Sequence, residues 1–75
     1  MKIFIQDRQT RLFYQSPTQW TNEVGQALDF PSALAAFSFS KMHSLGDTEV
    51  IFLTDDELNH QLQPDQIPRN NILRL

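Results

Sequence analysis

Apolar and polar positions alternate from the start of the chain. In Lys2-Ile3-Phe4-Ile5-Gln6, Ile3 and Ile5 fall on one side of an extended segment and Phe4 on the other. That period of two predicts a strand over residues 2–6. Asp7-Arg8-Gln9-Thr10 is short and polar, which suits a hairpin loop. Arg11-Leu12-Phe13-Tyr14-Gln15 then predicts a second, aromatic-rich strand over 11–15. Ser16–Gln19 reads as a turn, because Pro17 cannot sit in a central ladder. Residues 20–30 keep no clear period, and Gly25 weakens any helix there. They read as irregular, with one helical turn near Val24–Leu28 and with Trp20, Leu28 and Phe30 as core anchors.

The strongest element comes next. Ser32 stands where a helix N-cap belongs, Pro31 blocks extension backward, and no breaker interrupts residues 33–45. Gly46 sits where a helix stops in the left-handed conformation. Glu49-Val50-Ile51-Phe52-Leu53 predicts a third strand, 49–53, whose continuous apolar run implies cover on both faces. Thr54-Asp55-Asp56-Glu57 has capping-box spacing, and Leu58 and Leu62 follow at i and i+4, so a short helix is expected there. Pro64 and Pro68 end it.

These elements predict an α+β fold: a three-stranded antiparallel sheet, in the order 2-1-3, packed on one main helix (ββαβ). Residues 1–53 form that unit. Residues 54–75 are a C-terminal appendage, docked or mobile.

The helix carries the most functional information. With Ala36, Phe39, Ser40 and His43 set on the sheet, Leu34, Phe37 and Lys41 point away, and Met42 and Ala35 lie on the flank. Lys41 is the only charge on that outer side, whereas an ordinary surface helix is charged there. Three covers for it stay open. They are the chain's own tail, through Leu58, Leu62, Ile72, Leu73 and Leu75; a second copy in a homodimer; and another protein. A rotated helix would bury Phe37 beside Ser40 and Ser44 and expose Phe39 instead.

Composition narrows the classes. With 75 residues, the chain holds one domain, which must be stabilised without disulfides or thiolate metal sites because it has no cysteine. The absence of cysteine fits a reducing compartment. No apolar run approaches the ~20 residues of a membrane span. The N-terminal apolar stretch is shorter than the roughly 7–15 residues of a secretory signal core. A cytoplasmic protein without a membrane partner is expected. The net charge of −3 argues against phosphate-backbone gripping as the main task. Charge is unevenly spread: residues 54–66 carry four acids and no Lys or Arg, and residues 67–75 carry two arginines.

Catalytic equipment is sparse. His43 and His60 lie on different elements and share no ligand-like spacing, and neither glycine belongs to a phosphate-binding loop. Asp55-Asp56-Glu57 reads first as the first turn of a helix, where acids complement the dipole. A cation site or an acidic docking motif is its functional alternative. No catalytic residue, metal ligand or cofactor is expected, so the chain reads as a non-enzyme. Lys2, Arg8 and Arg11 are half of the basic residues, and Phe4, Phe13, Tyr14 and Trp20 lie near them. Such interleaving is one way to hold single-stranded nucleic acid, although the same aromatics also serve as core.

Phe13-Tyr14, Trp20-Thr21, Ala27-Leu28-Asp29-Phe30-Pro31-Ser32, Ala36, Phe39 and the strand after Asp47 resemble a class of small bacterial and phage domains of unknown function. These run hairpin, Trp-containing loop, helix, strand. The resemblance covers about residues 2–53 and implies a ββαβ fold, with no activity attached. The chain departs from it at Leu34 and Phe37, where such domains place Glu and Lys.

The expectation is therefore a protein-interaction module, acting on another protein or as a homodimer. Leu34, Phe37, Lys41 and Met42 would make the contact, with Asp55, Asp56 and Glu57 as a secondary one. The alternative is a single-stranded nucleic-acid binder using Arg8, Arg11, Tyr14 and Trp20.

Overall fold

The computed structural model describes residues 1–74; Leu75, one of the expected tail contacts, lies outside the described residues. The chain builds β1 (Lys2–Asp7), β2 (Phe13–Ser16), β3 (Gln19–Thr21), α1 (Ala33–Met42), β4 (Thr48–Leu53), α2 (Asp55–Asn59) and β5 (Ile72–Leu73). Single 3₁₀ turns occur at Val24–Gln26, Pro64–Gln66 and Arg69–Asn71. The strands form one five-stranded antiparallel sheet in the order β3-β2-β1-β4-β5. The expected order 2-1-3 is its centre, β2-β1-β4. The expected three-stranded sheet gains β3 and β5 at its two edges.

β1 is central because both of its faces are apolar. Its Ile3 and Ile5 join Tyr14, Phe30, Ala36 and Val50 in one core cluster, on the side covered by α1. Phe4 joins Phe13, Val24, Ile51, Leu53 and Ile67 in a second cluster on the other side. β4 runs antiparallel to β1 over its whole length, with Phe4 opposite Ile51 and Ile5 opposite Val50. Its uninterrupted apolar run is thus explained by cover on both faces. β2 meets β1 only at Gln6 opposite Phe13. Further along, the incoming segment takes its place: the Phe30 N–H donates to the Ile3 carbonyl at 2.8 Å, and the Ile3 N–H donates to Asp29 Oδ1 at 3.2 Å.

Several boundaries shift for local reasons. The second strand starts at Phe13 rather than at 11, because Arg11 adopts a left-handed φ of 68° to close the loop. Asp7 Oδ1 holds that loop by accepting from Gln9 and Thr10 N–H groups at 2.7 and 2.9 Å. Within residues 20–30, Trp20 and Phe30 do pack into the helix-side core, but Leu28 is 39% exposed. Trp20 lies on a strand, β3, held by Tyr14 opposite Trp20.

Ser32 caps α1 as expected, its Oγ accepting from the Ala35 N–H at 3.1 Å. The helix ends at Met42 instead of 45. Leu45 N–H donates to the Ser40 carbonyl at 3.1 Å and Ser44 N–H to the Lys41 carbonyl at 3.2 Å, with Ser44 at φ 49°. This is a Schellman stop with serine in the left-handed position usually held by glycine. It turns Leu45 back into the helix-side core. Gly46, also left-handed at φ 84°, belongs to the connection that follows.

Thr54 and Glu57 form the expected capping box at the start of α2. Leu58, Leu62 and Ile72 then pack on the second cluster, on the sheet face opposite α1, while Leu73 packs on the helix-side cluster. Among the described residues the tail does not cover the outer face of α1, where Leu34 and Met42 stay exposed. Two side-chain amides bind it where it lies. Gln6, fully buried, donates through Nε2 to the Arg11 carbonyl at 2.7 Å and the Pro64 carbonyl at 2.9 Å. Asn71 donates through Nδ2 to the Phe52 carbonyl at 2.7 Å and to Glu57 Oε1 at 2.9 Å.

Candidate interaction surface

The outward side of α1 is set by helical spacing. Ala36 is fully buried on the sheet, Phe39 packs edge-on to Tyr14 and Phe30, and the Ser40 hydroxyl shares a 2.9 Å hydrogen bond with that of Thr48. His43 stacks on Phe39 with ring centroids 4.1 Å apart. Opposite this contact lie Leu34, Ser38, Lys41 and Met42, all exposed. Leu34 is 65% exposed and Met42 81%. Leu34, Ser38 and Met42 sit at i, i+4 and i+8, one stripe about 12 Å long.

Phe37 is the correction on this helix. It does not point away from the sheet; it is half-buried against the helix-side core. It faces a groove of about 360 Å³ between the flank of α1 and β5, lined also by Leu73, Glu49, Arg8, Arg69 and Arg74. Arg8 Nε lies 3.4 Å from Glu49 Oε1 and 3.6 Å from Asp47 Oδ1. Glu49 Oε2 is buried and has no hydrogen-bond partner.

The acidic stretch is separate from α1, because α2 belongs to the opposite face of the sheet. Asp55 Oδ1 pairs with the N-terminal ammonium at 3.0 Å. Glu57 accepts from the Thr54 backbone N–H at 2.9 Å, from its hydroxyl at 3.1 Å and from Asn71. These bonds, the Thr54 backbone one first and then Asn71, hold the Glu57 carboxyl below the usual carboxylate range. Asp56 is exposed in the first turn. All three are accounted for as helix-start residues, with Glu57 also a tie to the tail.

The four residues of the nucleic-acid alternative do not make a stacking platform. Tyr14 is 2% exposed and belongs to the core, and Trp20 is half-buried against it, edge-on at 5.4 Å. Arg8 is ion-paired at the groove. Arg11 is half-buried in the loop, its carbonyl held by Gln6. A second concavity, about 470 Å³, opens on the tail side over Phe4, Val24 and Leu62. Among the described residues, no group of three or more His, Cys, Asp or Glu side chains is placed to hold a metal ion. No described helix is long and apolar enough to cross a membrane.

Sequence reasoning passed over Glu49, Arg69 and Arg74 as contact residues and expected Leu73 only as part of a tail cover. The only signal was the pair of arginines flanking Ile72-Leu73 in a tail that otherwise has no Lys or Arg. Nothing in their spacing points to Arg8, more than sixty positions earlier. No protein-family model, curated protein or solved structure matches this chain.

Proposed function

We propose that this protein is a non-enzymatic interaction module that docks through the outward stripe of α1, with a second copy of itself as the occupant. The observation that carries this reading is the exposure of Leu34 and Met42 on a ten-residue helix whose outer side holds one charge, Lys41. The described tail, which would be the natural cover, packs Leu58, Leu62 and Ile72 on the other face of the sheet and leaves Leu34 and Met42 exposed.

The stripe also has the form that a two-fold contact needs. In an isologous interface the same patch meets itself, so the residue on the axis faces its own copy. With Ser38 on the axis and the helices antiparallel, Leu34 of one copy lies over Met42 of the other. The small central side chain permits close approach, and both Lys41 side chains can reach water at the rim.

Light-scattering mass after size exclusion, run over a concentration series, tests the reading. The parent is expected to rise to twice the monomer mass. The double variant Leu34→Asp, Met42→Asp is expected to stay monomeric with unchanged circular dichroism, since neither side chain belongs to a core cluster. A parent that remains monomeric throughout the series contradicts it.

A further inference from the structure

The groove beside α1 makes no part of that stripe, and its chemistry is different. Its lining is mixed, with apolar side chains from three elements, Phe37 on α1, Val50 on β4 and Ile72 and Leu73 on β5. Its rim carries three guanidinium groups, Arg8, Arg69 and Arg74, against one carboxylate, Glu49. These are three of the six basic side chains of a chain whose net charge is −3, so the groove is a local positive site on an acidic protein. Among the described residues the only carboxylates paired with an arginine are Asp47 and Glu49, both with Arg8. Arg69 and Arg74 are exposed, and neither pairs with a carboxylate of the described residues.

We infer that this groove binds an extended acidic peptide segment carrying a large apolar side chain. The apolar side chain sits between Phe37 and Leu73, where burial drives binding. Flanking carboxylates take Arg69 and Arg74, whose planar forks bind carboxylate bidentately. Among the described residues β5 is the outermost strand on this side of the sheet, so an extended segment runs along its edge. Glu49 in the lining disfavours the alternative occupant, a continuous phosphate backbone, which offers it only like charge and no apolar anchor.

The probe is a fluorescein-labelled six-residue peptide with one Phe flanked by Glu and Asp, titrated with the full chain and followed by fluorescence anisotropy. Affinity is expected to fall about tenfold when the acids become Gln and Asn, and about tenfold when Phe becomes Ala. It is expected to drop severalfold between about 50 and about 500 mM salt. Arg69→Glu with Arg74→Glu is expected to abolish binding, while Arg69→Lys with Arg74→Lys retains part of it. Both arginines are exposed, so these variants keep the parent fold, checked by circular dichroism. Equal binding of the neutral peptide, equal binding by the charge-reversed protein, or no binding at about millimolar protein overturns the inference. Tighter binding of an oligothymidine than of the peptide overturns it in favour of nucleic acid. The Leu34→Asp, Met42→Asp variant must bind the peptide like the parent, which separates a failure here from a failure of the helix-stripe reading.

Discussion

The two faces of the sheet are covered in different ways. On one, a ten-residue helix with a capped start and a Schellman stop spans β1 and β4, and aromatic rings (Tyr14, Trp20, Phe30, Phe39) interlock edge-on beneath it. On the other, no long element exists. Short turns and α2 lay Leu58, Leu62, Ile67 and Ile72 over Phe4, Phe13, Ile51 and Leu53, and two side-chain amides tie the segment down. The first cover is regular and leaves an unused outer side. The second is irregular and uses its apolar residues inward. Of the described tail only the β5 end reaches the helix side, through Leu73, and Leu34 and Met42 on α1 stay exposed.

The largest effect that sharpens this contrast is in the shared centre. Phe4→Ala empties the tail-side core where it is fully buried, and should cost about 3–5 kcal/mol in urea unfolding. Gln6→Ala comes next. It leaves the Arg11 and Pro64 carbonyls short of a donor, at a cost of about 1–3 kcal/mol. Hydrogen exchange should quicken in residues 64–73 more than in α1; uniform quickening would contradict the separate fastening of the two covers. On the helix side, Ser32→Ala should lose about 1 kcal/mol. Ser44→Gly should gain about 1 kcal/mol, because glycine occupies the left-handed position without the Cβ penalty.

The smallest effect is a pH dependence confined to the tail side. The Glu57 carboxyl is held below its ordinary range, chiefly by the Thr54 N–H and then by Asn71. Its contribution is therefore fully present above the ordinary Glu value and is lost as pH falls through the lowered one. Glu57→Gln should flatten that part of an acid titration of stability and leave the Phe39 side of the molecule unaffected.

Local signals in the sequence reached the right elements. Ser32, the Thr54–Glu57 spacing and the apolar run of β4 each act within a few residues, and each was legible. β3 was not, because three residues are too few to show a period and its strand state depends on Tyr14 across the ladder. The side taken by the tail was not legible either. It is decided by Gln6 reaching Pro64 across 58 positions and Asn71 reaching Phe52 across 19. Phe37 was misplaced because the helix has apolar side chains nearly all round, so periodicity alone could not fix its rotation. The arginine groove gathers residues from both ends of the chain, and no local motif announces it. Leu34 and Lys41 lie on the outer side as expected, while Met42, expected on the flank, stands in the outward stripe with Ser38, which was not singled out.

The most direct test of the open stripe is a cross-link at its centre. The chain has no cysteine, so Ser38→Cys introduces the only thiol. Helix axes about 8–10 Å apart with Cα atoms about 2.3 Å from each axis bring facing Cα atoms to about 3.4–5.4 Å, which overlaps the disulfide range of about 4.4–6.8 Å. Under mild oxidation the account predicts rapid conversion of Ser38→Cys to a covalent dimer on a non-reducing gel, with Gln26→Cys, exposed elsewhere, converting slowly. Equal, slow conversion of both would contradict it and leave the stripe without a second copy as its occupant.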